Sequence, residues 1–152
     1  MNPQVAQNYL RTQVLTATPE QLQMMLYDGA IRFAEQARPA LQNKNWETSY
    51  NMITKAQRII AELISSLRPD VAPELCGKLA ALYNYVYRQL IEANSHHKIE
   101  ALDEAIKILR YQRETWALLL NQLGKQKAAQ AAKTIDIPAP NARMEASISM
   151  QG

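Results

Sequence analysis

Three features are scarce or missing in this chain of 152 residues. Cys76 is the only cysteine, which excludes an internal disulfide and a cysteine zinc cage. The four glycines stand far apart, so there is no glycine-rich loop to bind a phosphate. No apolar run approaches the roughly 20 residues that span a bilayer, and the N-terminus lacks the basic start and apolar stretch of a secretory signal. We therefore expect a cytoplasmic protein without direct membrane insertion.

Side chains suited to catalysis or metal binding are equally scarce. The two histidines, His96 and His97, are adjacent, and neighbouring positions on a helix point about 100° apart. Glu92, His96 and Glu100 have the spacing of one helical face, but the chain lacks the Glu-x-x-His motif of a di-iron bundle. Ser65 has no base nearby in the sequence, so a nucleophilic triad is not indicated. We predict that the protein is not an enzyme and that it has neither a metal site nor a cofactor.

Charge is nearly balanced over most of the chain, although the formal net charge is +3. Up to Leu123 there are 13 basic and 12 acidic residues, and most of the basic excess follows Gly124. A nucleic-acid interface needs lysine and arginine clustered on one face of the folded part. We therefore predict no nucleic-acid partner.

The clearest sequence signal for the start of a helix begins at Thr18. Its hydroxyl can cap the helix, Pro19 suits the first helical position, and Gln21 completes a capping box. Residues 1–17 form an N-terminal arm with a few apolar anchors but no sustained helical period. Apolar spacings of three and four then predict four helices. These are Pro19 to about Ala37, Trp46 to about Ser66, Ala72 to about Ala93 and Ile99 to about Leu123.

We predict an all-α fold, an antiparallel up-down-up-down four-helix bundle over residues 18–124. Pro39 should end or kink the first helix, and Gly29 should mark the close approach of another helix. The last helix carries a heptad seam that Arg113 interrupts, and Gly124 stands where that helix should end. Residues 125–152 offer little to bury and are predicted to be a disordered tail, whose first residues could extend the helix.

The first and third predicted helices carry more apolar side chains than a bundle needs. One stripe of apolar residues along each helix is enough to form the core, yet each of these two helices has nearly two such stripes. The surplus is rich in methionine and tyrosine, namely Met24, Met25, Tyr27, Met52, Tyr83, Tyr85 and Tyr87. Such side chains suit a surface that binds helical partners. The pattern fits equally well a surface that the N-terminal arm or a second copy of the chain covers at rest.

Several blocks of the sequence, in order, resemble the FliS family, the cytoplasmic export chaperones of flagellin. The resemblance extends over about residues 9 to 120. The blocks are Val14–Pro19 with Leu22 and Met25–Ala30, Lys55–Leu63, Leu82–Tyr85 with Arg88–Asn94, and Ile99–Ala105 with Trp116. The chain departs from the family at Ala6, where members often have a second tyrosine three residues before the one that Tyr9 matches.

The resemblance implies a four-helix bundle that binds the C-terminal region of flagellin in the bacterial cytosol. Binding would prevent premature polymerisation and keep flagellin competent for the flagellar type III export apparatus. We expect this client to contact Met52, Ile59, Tyr83 and Tyr87, together with Met25 and Tyr27. The arm would cover the groove and move when the client arrives, through Tyr9, Leu10, Val14 and Leu15. The alternative is a self-associating helical adaptor whose apolar stripe forms a homodimer interface.

Overall fold

The computed structural model describes residues 2–136, which form five helices and, within that range, no strand. The helices are α1 (Pro3–Thr16), α2 (Pro19–Gln42), α3 (Trp46–Ser65), α4 (Pro73–His96) and α5 (Ile99–Asp136). The predicted all-α fold is therefore confirmed, whereas the up-down-up-down order of the helices stays a prediction. Residues 137–152 of the predicted tail lie outside the described residues. The chain divides into two units, Met1–Thr115 and Trp116–Gly152, with the division inside α5.

The N-terminal arm is a regular helix, so the expectation of an irregular arm is wrong. Asn2 caps α1 by accepting a hydrogen bond from the backbone N–H of Gln4 at 3.0 Å, and Pro3 occupies the first helical position. The Thr12 hydroxyl donates to the Asn8 carbonyl, one turn earlier. No residue of α1 is buried. α1 therefore has the capping signals of a helix start but no packed apolar face.

The start of α2 has the predicted geometry. The Gln21 backbone N–H donates to the Thr18 hydroxyl, and the Thr18 backbone N–H donates to the Gln21 side chain, each at 3.1 Å. Both bonds of the capping box are present, with Pro19 at the first helical position. The capping-box prediction is confirmed. The capping box marks the boundary between α1 and the packed helices.

Two helices run past the residues at which they were expected to end. α2 continues through Pro39 to Gln42, although proline there removes one intrahelical donor and its ring crowds the carbonyl of Glu35. The Asn43 backbone N–H then donates to the Pro39 carbonyl at 2.9 Å. α5 likewise runs through Gly124 to Asp136. A glycine costs a helix roughly 1 kcal/mol relative to alanine, and the alanine, glutamine and lysine residues that follow favour helix.

Small side chains allow α2 and α3 to pack closely. Ala30, Ala34 and Ala37 are fully buried in α2. A Cβ atom placed on Gly29 would lie only 3.1 Å from Cδ1 of Ile59 in α3. The predicted close approach at Gly29 is therefore confirmed, and its partner is Ile59.

Three ion pairs join α2 to the first part of α5. They are Asp28–Arg113, Glu35–Arg110 and Arg38–Asp103. Their order shows that α2 and this part of α5 run antiparallel. Arg113, which interrupts the heptad seam, thus has a partner, because Asp28 accepts its Nε–H at 2.5 Å.

The Arg38–Asp103 pair is bidentate, with hydrogen bonds of 2.7 and 3.0 Å. The hydrogen bond from Arg38 holds the pKa of Asp103 below its ordinary value. Both side chains are nonetheless about two-fifths exposed, at 40% and 44%. Solvent screening therefore keeps the stabilisation small, and the pair mainly sets the register of α5 against α2.

Candidate functional site

Two of the predicted contact residues lie in the core. Tyr27 is 2% exposed and Tyr83 is fully buried. Their hydroxyl oxygens are 2.5 Å apart, and Gln23 Nε2 donates to both, at 3.2 and 3.3 Å. The three side chains form a satisfied polar network between α2 and α4. A partner therefore cannot reach Tyr27 or Tyr83 in this structure, and their assignment to a contact surface is corrected to the core.

Burial raises the pKa of the Tyr83 hydroxyl above its ordinary value, and the hydrogen bond to Tyr27 adds to the rise. In the unfolded chain Tyr83 ionises near pH 10, so its contribution to stability is complete below that pH and is lost as the pH rises. We expect the free energy of unfolding to fall by up to about 1.4 kcal/mol per pH unit above pH 10. Urea denaturation at about pH 9 and about pH 11 measures this.

Tyr83→Phe is the control for this pH dependence, because phenylalanine cannot ionise. The variant should be less stable than the native chain at neutral pH but should lose most of the alkaline slope. An equal slope in both proteins would contradict the assignment of the effect to Tyr83.

Met52 and Ile59 are half-buried, on the side of α3 that faces α2. They stand two turns apart, and Phe33 of α2 lies near them, since Lys55 Nζ is 5.4 Å from the centre of its ring. Met25 is half-buried one turn before Gly29. We call this surface the α2–α3 face. Its apolar members are Met25, Gly29, Phe33, Met52 and Ile59.

Helical spacing assigns Tyr87 to a different surface. It is half-buried two turns after Ala80, and Ala80 lines an apolar cavity of about 350 Å³ between α3 and α4. Ile91, one turn beyond Tyr87, is 39% exposed. We call this surface the α3–α4 face. Its cavity is lined by Ile64, Leu67, Pro69, Pro73, Cys76, Gly77 and Ala80.

The predicted contact residues thus divide between two faces of α3, with two members in the core. The sequence prediction missed most of the cavity. The second apolar stripe of α4, which includes Cys76 and Ala80, carried a signal for it. The contribution of Pro69 and Pro73 could not be found from helical periodicity, because it depends on the path of the loop between α3 and α4.

The predicted arm residues are all exposed, so the expected docking of the arm on the bundle is corrected. The exposed fractions are 66% for Tyr9, 53% for Leu10, 41% for Val14 and 78% for Leu15. Ala17 and Thr18 are extended, and they separate α1 from α2. In this structure the arm buries neither face.

The histidine region holds ordinary surface contacts. Glu92 pairs with His96 at 3.2 Å and with Lys98 at 3.5 Å. α4 ends at His96, so Glu100 lies on another helix and does not share the face suggested by its spacing. The His97 ring stacks on Trp46, with ring centres 3.8 Å apart.

Among residues 2–136, none of the helices has the length and apolar character needed to cross a membrane.

Comparison with known proteins points to one family. The family described as "Flagellar protein FliS" matches residues 1–123. The flagellar secretion chaperone FliS of Bacillus subtilis is 36% identical over 115 residues, covering 76% of this chain and 84% of that protein. FliSB of Pseudomonas aeruginosa is 32% identical, covering 74% and 90%, and FliS of Escherichia coli is 31% identical, covering 73% and 82%.

A solved structure supports the fold alone. It is titled "Crystal structure of flagellar chaperone from bacteria" and is 20% identical in sequence, with a TM-score of 0.65. The similarity covers 80% of this chain and 99% of that one.

Proposed function

The chain belongs to the FliS family, and from that premise we propose that its client is the C-terminal segment of flagellin. Members of this family are flagellar secretion chaperones, so the protein is an export chaperone and not an enzyme. Under the proposal, it holds this segment in the cytoplasm, prevents premature polymerisation and delivers flagellin to the flagellar type III export apparatus.

The observation that carries the proposal is the pair of accessible apolar faces on either side of α3. Met52 and Ile59 lie on one face, and the cavity that precedes Tyr87 lies on the other. A client segment that is disordered when free can wrap across both faces and fold as it binds. Ordering the segment consumes part of the interaction energy, so the complex stays weak enough to release its client for export.

The position of α1 is compatible with client binding. Tyr9 and Leu15 are exposed, and no residue of α1 is buried. This exposure supports a mode of binding in which a client does not have to displace the arm.

Calorimetric titration with a peptide covering the C-terminal region of the host's flagellin tests the proposal. We expect a 1:1 complex at micromolar concentrations or below, with a negative heat-capacity change from apolar burial. A peptide of the same composition in scrambled order is the control. A flat titration at tens of micromolar would refute the proposal.

Sedimentation of the free protein distinguishes the competing adaptor function. A chaperone with open faces should sediment as a monomer in the absence of client and as a 1:1 complex in its presence. An obligate dimer at low micromolar concentration, together with no complex, would favour the adaptor whose apolar stripe is a homodimer interface.

A further inference from the structure

The α2–α3 face carries cations around its apolar centre. The guanidinium carbon of Arg32 lies 5.2 Å from the centre of the Phe33 ring, and Lys55 Nζ lies 5.4 Å from it. Arg58 stands one turn after Lys55, and all three cations are exposed. Phe33 itself is half-buried. An aromatic ring between two exposed cations is thus part of the same surface as Met52 and Ile59.

These cations lack carboxylate partners within the described residues. The seven ion pairs in residues 2–136 include neither Arg32, nor Lys55, nor Arg58. The nearby carboxylates of α2, Asp28 and Glu35, are bound to α5. Glu62, one turn after Arg58, is the remaining acidic side chain close by in α3, and it forms no ion pair either. The α2–α3 face is therefore both apolar and electropositive.

We propose that the segment that binds the α2–α3 face is an acidic amphipathic helix. Its apolar side chains would pack on Phe33, Met52 and Ile59, and its carboxylates would pair with Arg32 and Lys55 on the two sides of Phe33. The proposal rests on the proposed function, because this helix would be one part of the bound flagellin segment. It adds the chemistry by which that part is recognised.

The dimensions of the face favour a helix of a few turns. Met52 and Ile59 are seven residues apart on α3, which corresponds to about 10.5 Å along the axis. Gly29 has no side chain beside Ile59, so α2 and α3 pack closely at this point of the face. A helix placed along it can present apolar residues at spacings of three and four, with carboxylates at its flanks. Opposite charges at these flanks fix the register of the partner and exclude basic segments.

The test compares the native chain with Arg32→Glu/Lys55→Glu, using the flagellin C-terminal peptide. Both side chains are exposed, so circular dichroism and the melting temperature should stay near those of the native chain. We expect the peptide to bind the variant about tenfold more weakly or worse, because two attractive contacts become repulsive. The native complex should weaken as sodium chloride is raised, and the variant complex should not. Lys107→Glu/Lys125→Glu, which reverses two exposed cations of α5, a helix that contributes no residue to either face, should bind within about twofold of the native chain.

A second peptide, with its aspartate and glutamate residues replaced by asparagine and glutamine, completes the test. It should bind the native chain and the variant equally weakly. Full affinity of the variant for the acidic peptide would overturn the inference while leaving the proposed function intact. Failure of every peptide to bind the native chain would instead refute the proposed function. Binding of the native chain to vesicles of phosphatidylglycerol, lost in the variant while peptide binding is unchanged, would assign the cations to a membrane surface and overturn the inference.

Discussion

Replacing Tyr83 with alanine should lower the free energy of unfolding by about 3–5 kcal/mol, the usual cost of removing a large buried aromatic side chain. Among the side chains whose burial the structure describes, Tyr83 is the largest that is fully buried. Its removal leaves a cavity between α2 and α4 and takes one partner away from both Tyr27 and Gln23. A buried polar group without a partner adds to the cost. Because single domains are stable by only about 5–15 kcal/mol, much of the population should unfold under mild heating.

Urea denaturation followed by far-UV circular dichroism measures this loss. Tyr85→Ala is the matched control, since Tyr85 lies on the same helix and is 38% exposed. It should cost no more than about 1 kcal/mol. Equal destabilisation by the two variants would contradict the core assignment of Tyr83.

The same reasoning applies to Tyr83→Asp, which places a carboxylate in the core. We expect this variant to lose helicity along with client binding, because burial of an unpaired charge is very unfavourable. Loss of binding in a Tyr83 variant would therefore report on folding and not on a contact with the client.

The sequence could predict the elements of the fold that depend on local signals. The capping box at Thr18 and the heptad spacing of α5 depend only on residues close together in the sequence. In the structure, both segments are helices. Gly29 was also informative, because a glycine inside a helix needs a compensating close contact, which Ile59 provides.

The sequence did not predict which residues of α4 face the core and which face the surface. Tyr83 and Tyr87 are one turn apart in the same apolar stripe, yet Tyr83 is buried and Tyr87 is half-buried. α4 is apolar around much of its circumference, so the pattern alone does not determine which residues face the core. That choice depends on where α2 and α3 pack, as the hydrogen bond between Tyr27 and Tyr83 shows.

Ion pairs between residues far apart in the sequence could not be predicted either. Arg113 interrupts an apolar seam in the sequence, and only the antiparallel packing of α5 on α2 brings it to Asp28. The same contacts engage Asp28 and Glu35 of α2, and no ion pair joins Arg32 or Lys55 to a carboxylate among the described residues. The charge of the α2–α3 face is thus a property of the fold, since the chain up to Leu123 is nearly neutral overall.

Met52→Asp and Tyr87→Asp should each weaken binding of the flagellin peptide by about 100-fold, because each puts a charge into an apolar contact. Both side chains are half-buried at the surface of the bundle, so the fold should survive, as judged by circular dichroism. Tyr111→Asp is the control, since Tyr111 is 70% exposed on α5, a helix that contributes no residue to either face. It should bind the peptide as the native chain does.

Comparing the affinities of Met52→Asp and Tyr87→Asp for the peptide shows whether the client binds one face or both. Two contacts made by one continuous segment reinforce each other through effective concentration, so loss of either face should reduce the affinity to that of the other face alone. The double variant Met52→Asp/Tyr87→Asp should then show no measurable binding. If Met52→Asp abolished binding while Tyr87→Asp had no effect, the α2–α3 face alone would hold the client and the α3–α4 cavity would need another role. Native affinity in both single variants would show that the client binds elsewhere, because neither apolar face could tolerate a buried carboxylate in the contact.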